Sequence, residues 1–169
     1  MIVFVTGSES TGKTVLAKSL STHYQKDWIP EFARSFVENL DRPYNFQDVE
    51  EIAAKQIHDF KAASDKDLVF ADTGLIITKI WFEKKYKKIP SWFSDVYERM
   101  SRGYYLLCEN DLPWISDPVR ENPNIREELN YLYEREINKL EYPFIRISGQ
   151  GESRLLKAIE QVDKWLIEK

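Results

Sequence analysis

The chain has 169 residues, of which 43% are hydrophobic and 14% aromatic, and its formal net charge is −4. A chain of this size buries one sizeable core, so we expect one domain over residues 1–169, and its negative charge gives no support to a nucleic-acid partner. The single cysteine, Cys108, excludes an internal disulfide framework and favours a reducing cytoplasm. Neither a membrane span nor a secretory signal is visible, so we expect a complete cytosolic protein without membrane contact.

Strand-like and helix-like segments alternate along the chain. The first half is predicted to run as strand 2–6, helix 14–24, strand 27–30, helix 48–63, strand 68–71 and helix 75–85. The second half continues with helix 91–101, strand 104–108, a polar, proline-rich and mobile connection over 109–127, helix 128–140, strand 144–147 and helix 152–167.

Two helices have apolar residues at helical spacing that predict which side faces the core. In the first helix they are Val15, Leu16, Leu20 and Tyr24. In the last helix they are Leu155, Leu156, Ile159, Val162 and Leu166. Alternating strands and helices of this kind form a mainly parallel sheet covered on both faces. The sequence therefore predicts a doubly wound α/β fold with five strands.

The stretch GSESTGKT, which follows the first strand and opens the first helix, matches the pattern G-x-x-x-x-G-K-[ST] in full. Its glycines let successive backbone N–H groups point at phosphate oxygens, and the helix N-terminus adds partial positive charge. Lys13 is expected to reach the β- and γ-phosphates, and the Thr14 hydroxyl to bind Mg²⁺. The predicted ATP-binding residues are Gly7, Ser8, Glu9, Ser10, Thr11, Gly12, Lys13, Thr14 and Val15.

Asp72 ends the predicted strand over 68–71, where a second magnesium-side group belongs. A carboxylate at this position holds the ion directly or through water. Asp also caps helix N-termini well, and the two roles are compatible. We expect Asp72 to act with Thr14 in binding Mg²⁺.

The motifs that follow the phosphate loop indicate what receives the phosphate. No guanine-reading N-K-x-D is present, and Gly74 comes one position too early for a D-x-x-G switch. An AAA-type motor is disfavoured because Thr73, rather than a second acid, follows Asp72, and because the chain has no room for its usual lid domain. A small-molecule kinase remains, with a lid over 111–127 whose Arg120 and Arg126 neutralise charge during transfer. An ordinary solvated loop is the alternative for this segment.

An acceptor hydroxyl needs a carboxylate to orient it and take its proton. Glu31 follows the second strand, on the side shared with the phosphate loop, and is the candidate base, with Arg34 beside it in the substrate site. A surface salt bridge between Glu31 and Arg34 is the alternative. Gln56 lies on the apolar side of its helix, where it either satisfies a buried backbone group or faces a polar substrate.

These motifs, taken together and in order, resemble the nicotinamide riboside kinase domain of NadR-type NAD-biosynthesis proteins. The matching segments are GSESTGKT (7–14), PEFAR (30–34), KQ (55–56), FADT (70–73), TKIW (78–81) and PWISDPVR (113–120). The Glu-Ser pair within the phosphate loop, the E-x-x-R after the second strand and the P-W-I-x-D-x-x-R of the lid are the most specific of them.

The resemblance implies transfer of the γ-phosphate of ATP to the 5′-hydroxyl of nicotinamide riboside. Glu31 and Asp72 then lie nearest the acceptor and the metal, Gln56 and Trp81 near the nucleoside, and the two arginines in the lid. Nicotinamide riboside carries a cationic ring, which aromatic faces attract. Trp28, Trp81 and Trp114 are near the predicted site loops, and core packing is the alternative for each.

The chain departs from the family pattern in two places on the acceptor side. Gly74 replaces the second carboxylate of D-T-D, and Ser116–Arg120 replaces the lid pattern D-D-G-x-R, with Pro118 stiffening the lid. Two alternatives therefore stay open. One is a kinase for another nucleoside or small alcohol, and the other is an NTP-hydrolysing regulatory switch. Oligomeric state is not predicted.

Overall fold

Five short apolar runs form the strands of one parallel sheet, whose order is β2-β3-β1-β4-β5. The computed structural model describes residues 1–117 and 120–168. The strands are β1 (Ile2–Thr6), β2 (Asp27–Ile29), β3 (Val69–Asp72), β4 (Tyr104–Cys108) and β5 (Phe144–Ile147). The α-helices are α1 (Lys13–Tyr24), α2 (Phe32–Glu38), α3 (Phe46–Ala62), α4 (Leu75–Trp81), α5 (Ser91–Met100), α6 (Arg126–Lys139) and α7 (Gly151–Glu168), and a π-helical segment spans Phe82–Tyr86.

The central strand β1 pairs with β3 on one side and β4 on the other, and all the pairings are parallel. Parallel strands need long crossover connections, which the helices supply here. The carboxyl ends of the strands consequently lie at one edge of the sheet, where open α/β sheets bind ligands. The predicted doubly wound α/β fold with a five-stranded sheet is confirmed.

Two apolar clusters cover the two faces of the sheet. Phe4 of β1 packs in the cluster that contains residues of α3, α4, α5 and α6. Its neighbours Val3 and Val5 pack in the cluster with α1 and α7. Successive strand residues point to opposite faces, and all three side chains are fully buried. Burial on both faces is why the first strand is a continuous apolar run rather than an alternating one.

Two elements differ in kind from the sequence prediction. Helix α2 is absent from the sequence prediction: it has only seven residues, and none of them is buried, so its short apolar pattern is a weak signal. The helix predicted over 75–85 is α-helical only to Trp81 and continues as the π-helical segment Phe82–Tyr86. A π-turn adds one residue to the turn and leaves no signature in apolar spacing.

Three residues predicted to face the core are exposed instead. Val15 is 71% exposed, Leu156 57% and Leu166 38%. In α7 the buried side is formed by Arg154, Ala158, Val162 and Trp165. Leu156 is two residues from Arg154, which places it on nearly the opposite side of a helix that turns about 100° per residue. Because an arginine forms part of the buried side, apolar spacing alone does not identify this side of α7.

Cys108 is a free, buried thiol at the end of β4, and burial raises its pKa. It packs as a small apolar side chain in the cluster formed with α1 and α7. Among the described residues, no helix combines the length and apolar content that a bilayer crossing requires.

Candidate active site

The phosphate loop lies at the carboxyl edge of the sheet, between β1 and α1. Gly7 has φ +140°, and a Cβ on it would lie 2.8 Å from the Cys108 carbonyl oxygen. Gly12 has φ +75° and forms the N-cap of α1, and Ser10 also takes a left-handed φ of 56°. These conformations curl the backbone around the N-terminus of α1, as a phosphate cradle requires.

Hydrogen bonds within and behind the loop hold it in shape. The Thr11 hydroxyl and the Lys13 ammonium donate to the Ser8 carbonyl at 2.8 and 2.7 Å. From α6, the Asn130 amide accepts from the Ser8 N–H at 2.7 Å and donates to the Cys108 carbonyl at 2.8 Å. Lys13 thus stays over the cradle, with its side chain on the cavity described below.

Arg154 is a site-supporting residue that the sequence analysis missed. Its guanidinium is 4% exposed and donates to the carbonyl of Thr11, the carboxylate of Asp111 and the carbonyl of Gly149, each at 2.8 Å. It therefore ties together the loops that follow β1, β4 and β5. Its one sequence signal is its position four residues before Ala158, on the buried side of α7.

Asp72 and Thr14 form the candidate magnesium site. Asp72 is 3% exposed, and neither of its oxygens accepts a hydrogen bond of normal geometry from the described residues. Burial raises the pKa of Asp72, against the lowering effects of the neighbouring Thr14 hydroxyl and the Lys13 ammonium. A buried carboxylate without a donor, beside a hydroxyl, fits Mg²⁺.

No group of three or more His, Cys, Asp or Glu side chains suited to a metal occurs in the described part of the chain. In phosphoryl-transfer sites Mg²⁺ takes one or two carboxylates and relies on water and phosphate for its other ligands.

A cavity of about 750 Å³ opens from the phosphate loop toward α4 and the lid segment 111–127. Its lining residues are Gly7, Glu9, Ser10, Thr11, Gly12, Lys13, Thr14, Val15, Glu31, Ala33, Arg34, Val37, Tyr44, Ile77, Ile80, Trp81, Lys84, Lys85, Leu112, Pro113, Ile115, Arg120, Glu121, Asn122, Ile125, Leu129 and Tyr133. One end is the phosphate cradle, and the other is an apolar and aromatic chamber. Cavities of this size hold small organic ligands.

Glu31 lines the cavity at the N-cap of α2. Burial raises its pKa, the Lys13 ammonium lowers it, and the Asp72 carboxylate raises it further. These electrostatic effects place Glu31 in one charge cluster with Lys13 and the Asp72 carboxylate. Arg34 also lines the cavity, and it pairs with Glu38 at 3.0 Å and Asp117 at 2.8 Å. The surface ion pair considered between Glu31 and Arg34 is not the arrangement found.

The lid segment is tied to the phosphate loop by Glu9. Its carboxylate accepts from the backbone N–H groups of Glu121 and Asn122 at 3.2 and 2.9 Å. Arg120 lines the cavity and pairs with Asp117 at 2.9 Å. Pro118 and Val119, and with them the predicted stiffening of the lid, lie outside the described residues. The mobility expected of this segment stays a prediction.

Five of the predicted site residues do not line the cavity: Ser8, Gln56, Asp72, Trp114 and Arg126. Arg126 donates to the carbonyl oxygens of Glu9, Ser10 and Leu112 at 3.0 to 3.2 Å. It is therefore an anchor at the base of the lid. Trp114 lies beside the Arg126 guanidinium, 6.0 Å from ring centroid to carbon.

Gln56 is buried, and its amide oxygen accepts from the Thr78 hydroxyl at 2.6 Å. The partner found is thus a side-chain hydroxyl of α4 rather than the buried backbone group considered as the alternative to a polar substrate. Trp28 packs against the cluster with α1 and α7, beneath the Lys18 ammonium at 4.8 Å. Of the three tryptophans considered, Trp81 lines the cavity.

Several cavity residues escaped the sequence analysis: Tyr44, Lys84, Lys85, Glu121 and Tyr133. The two lysines follow Trp81 by three and four residues and so share its helical face, which is a usable signal. Tyr44 and Glu121 come from irregular segments, which carry no periodicity.

The fold and the cradle together define a P-loop nucleotide-binding protein with a kinase-like fold. Residues 2–154 match the model of the AAA domain family, and the chain belongs to that family. Membership of this family does not by itself favour an AAA-type motor function. Such motors have a second acidic residue after the strand, and Thr73 follows Asp72 here.

The chain is also homologous to part of NadR, which confirms the resemblance to NadR-type proteins. It is 24% identical to "Trifunctional NAD biosynthesis/regulator protein NadR" of Escherichia coli (strain K12), over 97% of this chain and 42% of that protein. The NadR protein of Salmonella typhimurium is 22% identical, again over 97% of this chain and 42% of that protein. The chain thus spans less than half the length of these relatives.

Solved structures share the fold. A NadR protein in complex with NR superposes with a TM-score of 0.73 at 21% identity, covering 98% of this chain and 51% of that one. Deoxyadenosine kinase from M. mycoides, with dcmp and dcdp bound, superposes with a TM-score of 0.69 at 12% identity, covering 97% and 100%. At these identities the likeness establishes the fold.

Proposed function

We propose that the protein is a cytoplasmic kinase of NAD salvage, which transfers the γ-phosphate of ATP to the 5′-hydroxyl of nicotinamide riboside and yields nicotinamide mononucleotide. One observation carries the proposal: a single cavity joins the phosphate cradle, the Glu31 carboxylate and an aromatic chamber. The homology to part of NadR supports it. The unit proposed is a single kinase domain with its lid over 111–127.

The cradle binds and orients the triphosphate of ATP. Backbone N–H groups of Gly7–Thr14 and the N-terminus of α1 bind the phosphate oxygens, and Lys13 neutralises the β- and γ-phosphates. Mg²⁺ held by Thr14 and Asp72 would supply further positive charge to the same oxygens. Val15, which is 71% exposed at the cavity rim, adds an apolar contact to the nucleotide.

Glu31 acts as the base toward the acceptor. Its carboxylate takes the proton of the 5′-hydroxyl while that oxygen forms a bond to the γ-phosphorus, and the bond from phosphorus to the ADP oxygen breaks. A raised pKa makes Glu31 a stronger base than an ordinary glutamate once it is ionised. Arg34 and Arg120 lie on the same cavity, where their charges stabilise the transferring group.

The aromatic chamber receives the nucleoside. Trp81, Tyr44 and Tyr133 line it together with aliphatic side chains of α2 and α4. Planar rings bind well in such chambers through stacking and edge contacts. In the proposal the chamber binds the base, which directs the ribose 5′-hydroxyl toward Glu31.

An ADP-release assay over a panel of nucleosides, nicotinamide riboside included, tests the proposal. ADP release should rise sharply with nicotinamide riboside, and the product should be its 5′-monophosphate. Lys13→Ala should abolish the rise. A larger rise in ADP release with another nucleoside would identify that nucleoside as the acceptor instead. Slow ADP release that no nucleoside accelerates would favour the regulatory switch.

A further inference from the structure

The aromatic chamber contains a cation of the protein's own. Tyr44 and Trp81 form its corner, with ring centroids 5.0 Å apart and planes at 78°. The Lys85 ammonium lies 3.7 Å from the centroid of the Tyr44 ring. All three residues line the cavity. A cation within about 6 Å of an aromatic face is attracted by the ring quadrupole, so Lys85 fills the position over Tyr44 that attracts positive charge.

Glu121 completes this arrangement from the lid. Its carboxylate accepts from the Tyr44 hydroxyl at 2.5 Å and pairs with the Lys85 ammonium at 3.3 Å. Both charged side chains are partly exposed, at 38% for Lys85 and 49% for Glu121, so solvent screens the pair. Lys85 contacts the Tyr44 ring face and the Glu121 carboxylate, and both of these groups favour a cation.

We propose that Lys85 sets the charge preference of the acceptor site, disfavouring a positively charged ring relative to an uncharged planar ring of the same shape. Either ring form can pack against Trp81. A cationic ring there is repelled by the Lys85 ammonium and finds Tyr44 and Glu121 already paired with it, whereas an uncharged ring is not repelled. The inference rests on the proposed function, since it takes the aromatic chamber to be the acceptor site.

Lys84 provides a matched control. It lines the same cavity and carries the same charge, but its ammonium pairs with Glu128 at 2.5 Å and takes no part in the contact with Tyr44. Replacing Lys84 therefore changes the charge of the cavity wall by the same amount without freeing the aromatic face.

The test compares nicotinamide riboside with its uncharged dihydropyridine form, by calorimetry on protein loaded with AMP-PNP. For Lys85→Met we expect the ratio of the two dissociation constants to shift toward the cationic ring by about 3- to 10-fold. For Lys84→Met the shift should stay under about twofold. In a Tyr44→Leu background, Lys85→Met should lose most of its effect, because the aromatic face is gone.

Each other outcome overturns the inference. These outcomes are an unchanged ratio in Lys85→Met, an equal shift in Lys84→Met, a full shift without Tyr44, or no binding of either ring form at millimolar concentration. ADP release measured in parallel separates the two proposals. If a nucleoside is phosphorylated but the ratio of dissociation constants does not shift in Lys85→Met, only the role of Lys85 is refuted. If the ratio shifts but no nucleoside is phosphorylated, only the kinase assignment is refuted.

Discussion

Three effects act on the pKa of the Glu31 carboxyl: burial raises it, the Lys13 ammonium lowers it and the Asp72 carboxylate raises it. A base needs both access to the acceptor and a pKa near the working pH. The position of Glu31 on the cavity gives access to the acceptor in the proposed reaction. Burial raises the pKa of Glu31, which moves it toward neutral pH. Removing the charge while keeping the shape isolates the chemical contribution of this residue.

We expect Glu31→Gln to lower turnover by roughly 10²- to 10⁴-fold while ATP still binds, because proton transfer is lost and the cradle is untouched. Turnover is measured by ADP release with nicotinamide riboside, and ATP affinity by calorimetry. Glu38→Gln is the control, since Glu38 pairs with Arg34 and is absent from the cavity lining. Full turnover in Glu31→Gln would remove Glu31 as the base.

The raised pKa of Glu31 also predicts a pH dependence of stability. The folded state binds this proton more tightly than the unfolded state does, so ionisation costs stability as pH rises from the ordinary pKa through the raised one. At neutral pH, Glu31→Gln should therefore melt at or above the wild-type temperature, and its advantage should shrink as pH falls below the ordinary glutamate pKa. Thermal melts across this range check the sign, and a variant destabilised most at neutral pH would contradict it.

At the scale of elements, Glu9 couples the phosphate loop to the lid. Its carboxylate is an acceptor for two successive backbone N–H groups, and bonds to charged groups are stronger than neutral ones. The lid segment thereby gains an attachment to the loop that we propose binds the triphosphate.

In Glu9→Ala we expect the amides of Glu121 and Asn122 to exchange with solvent faster, by roughly tenfold, because both lose their acceptor. Hydrogen exchange followed by mass spectrometry or NMR measures this. Amides of α7 are the internal control and should be unchanged. Unaltered exchange at both lid positions would show that other contacts hold the segment.

Helix α7 contributes more than apolar packing, since Arg154 bridges three loops from within the core. Arg154→Met should lower the free energy of unfolding by about 1–3 kcal/mol, because the partly exposed Asp111 carboxylate, the buried Thr11 carbonyl and the partly buried Gly149 carbonyl lose their donor. Urea denaturation measures the loss. Lys164→Met, on the same helix in an exposed pair with Glu160, should change stability by less than about 0.5 kcal/mol. Equal effects of the two changes would refute the bridging role.

At the scale of the whole molecule, Phe4 packs between layers at the centre of the sheet. Its ring stacks on Tyr105 at 4.9 Å and meets Phe60 edge-on at 5.1 Å. A Cβ on Gly74 would lie 3.0 Å from the Phe4 ring. The ring thus occupies the space that a larger residue at position 74 needs, which gives a packing reason for the glycine after Thr73.

We expect Phe4→Ala to cost about 3–5 kcal/mol of unfolding free energy, from lost burial and the cavity left behind. Val15→Ala, at a position 71% exposed, should cost less than about 0.5 kcal/mol. Urea denaturation of both variants makes the comparison. A Val15→Ala loss comparable to that of Phe4→Ala would contradict the burial seen for the first strand and helix.

The features that could be predicted from the sequence are those encoded locally. GSESTGKT dictates its own backbone conformation, continuous apolar runs mark strands buried on both faces, and Asp72 follows from the end of such a run. Glu31 was located because it comes directly after a strand whose carboxyl end reaches the site edge. None of these inferences needed the position of a distant residue.

Tertiary structure decided which polar and aromatic side chains share the cavity. Helical periodicity places Gln56 on a buried side, and only the position of α4 shows that Thr78 is its partner there. Tyr44, Lys85 and Glu121 come from three separate segments, and their association depends on how the lid packs against the helices. Sequence by itself determined the nucleotide cradle, because local backbone chemistry specifies it. The aromatic chamber, which we propose receives the acceptor, was decided by the fold, because packing between distant segments has no local signature.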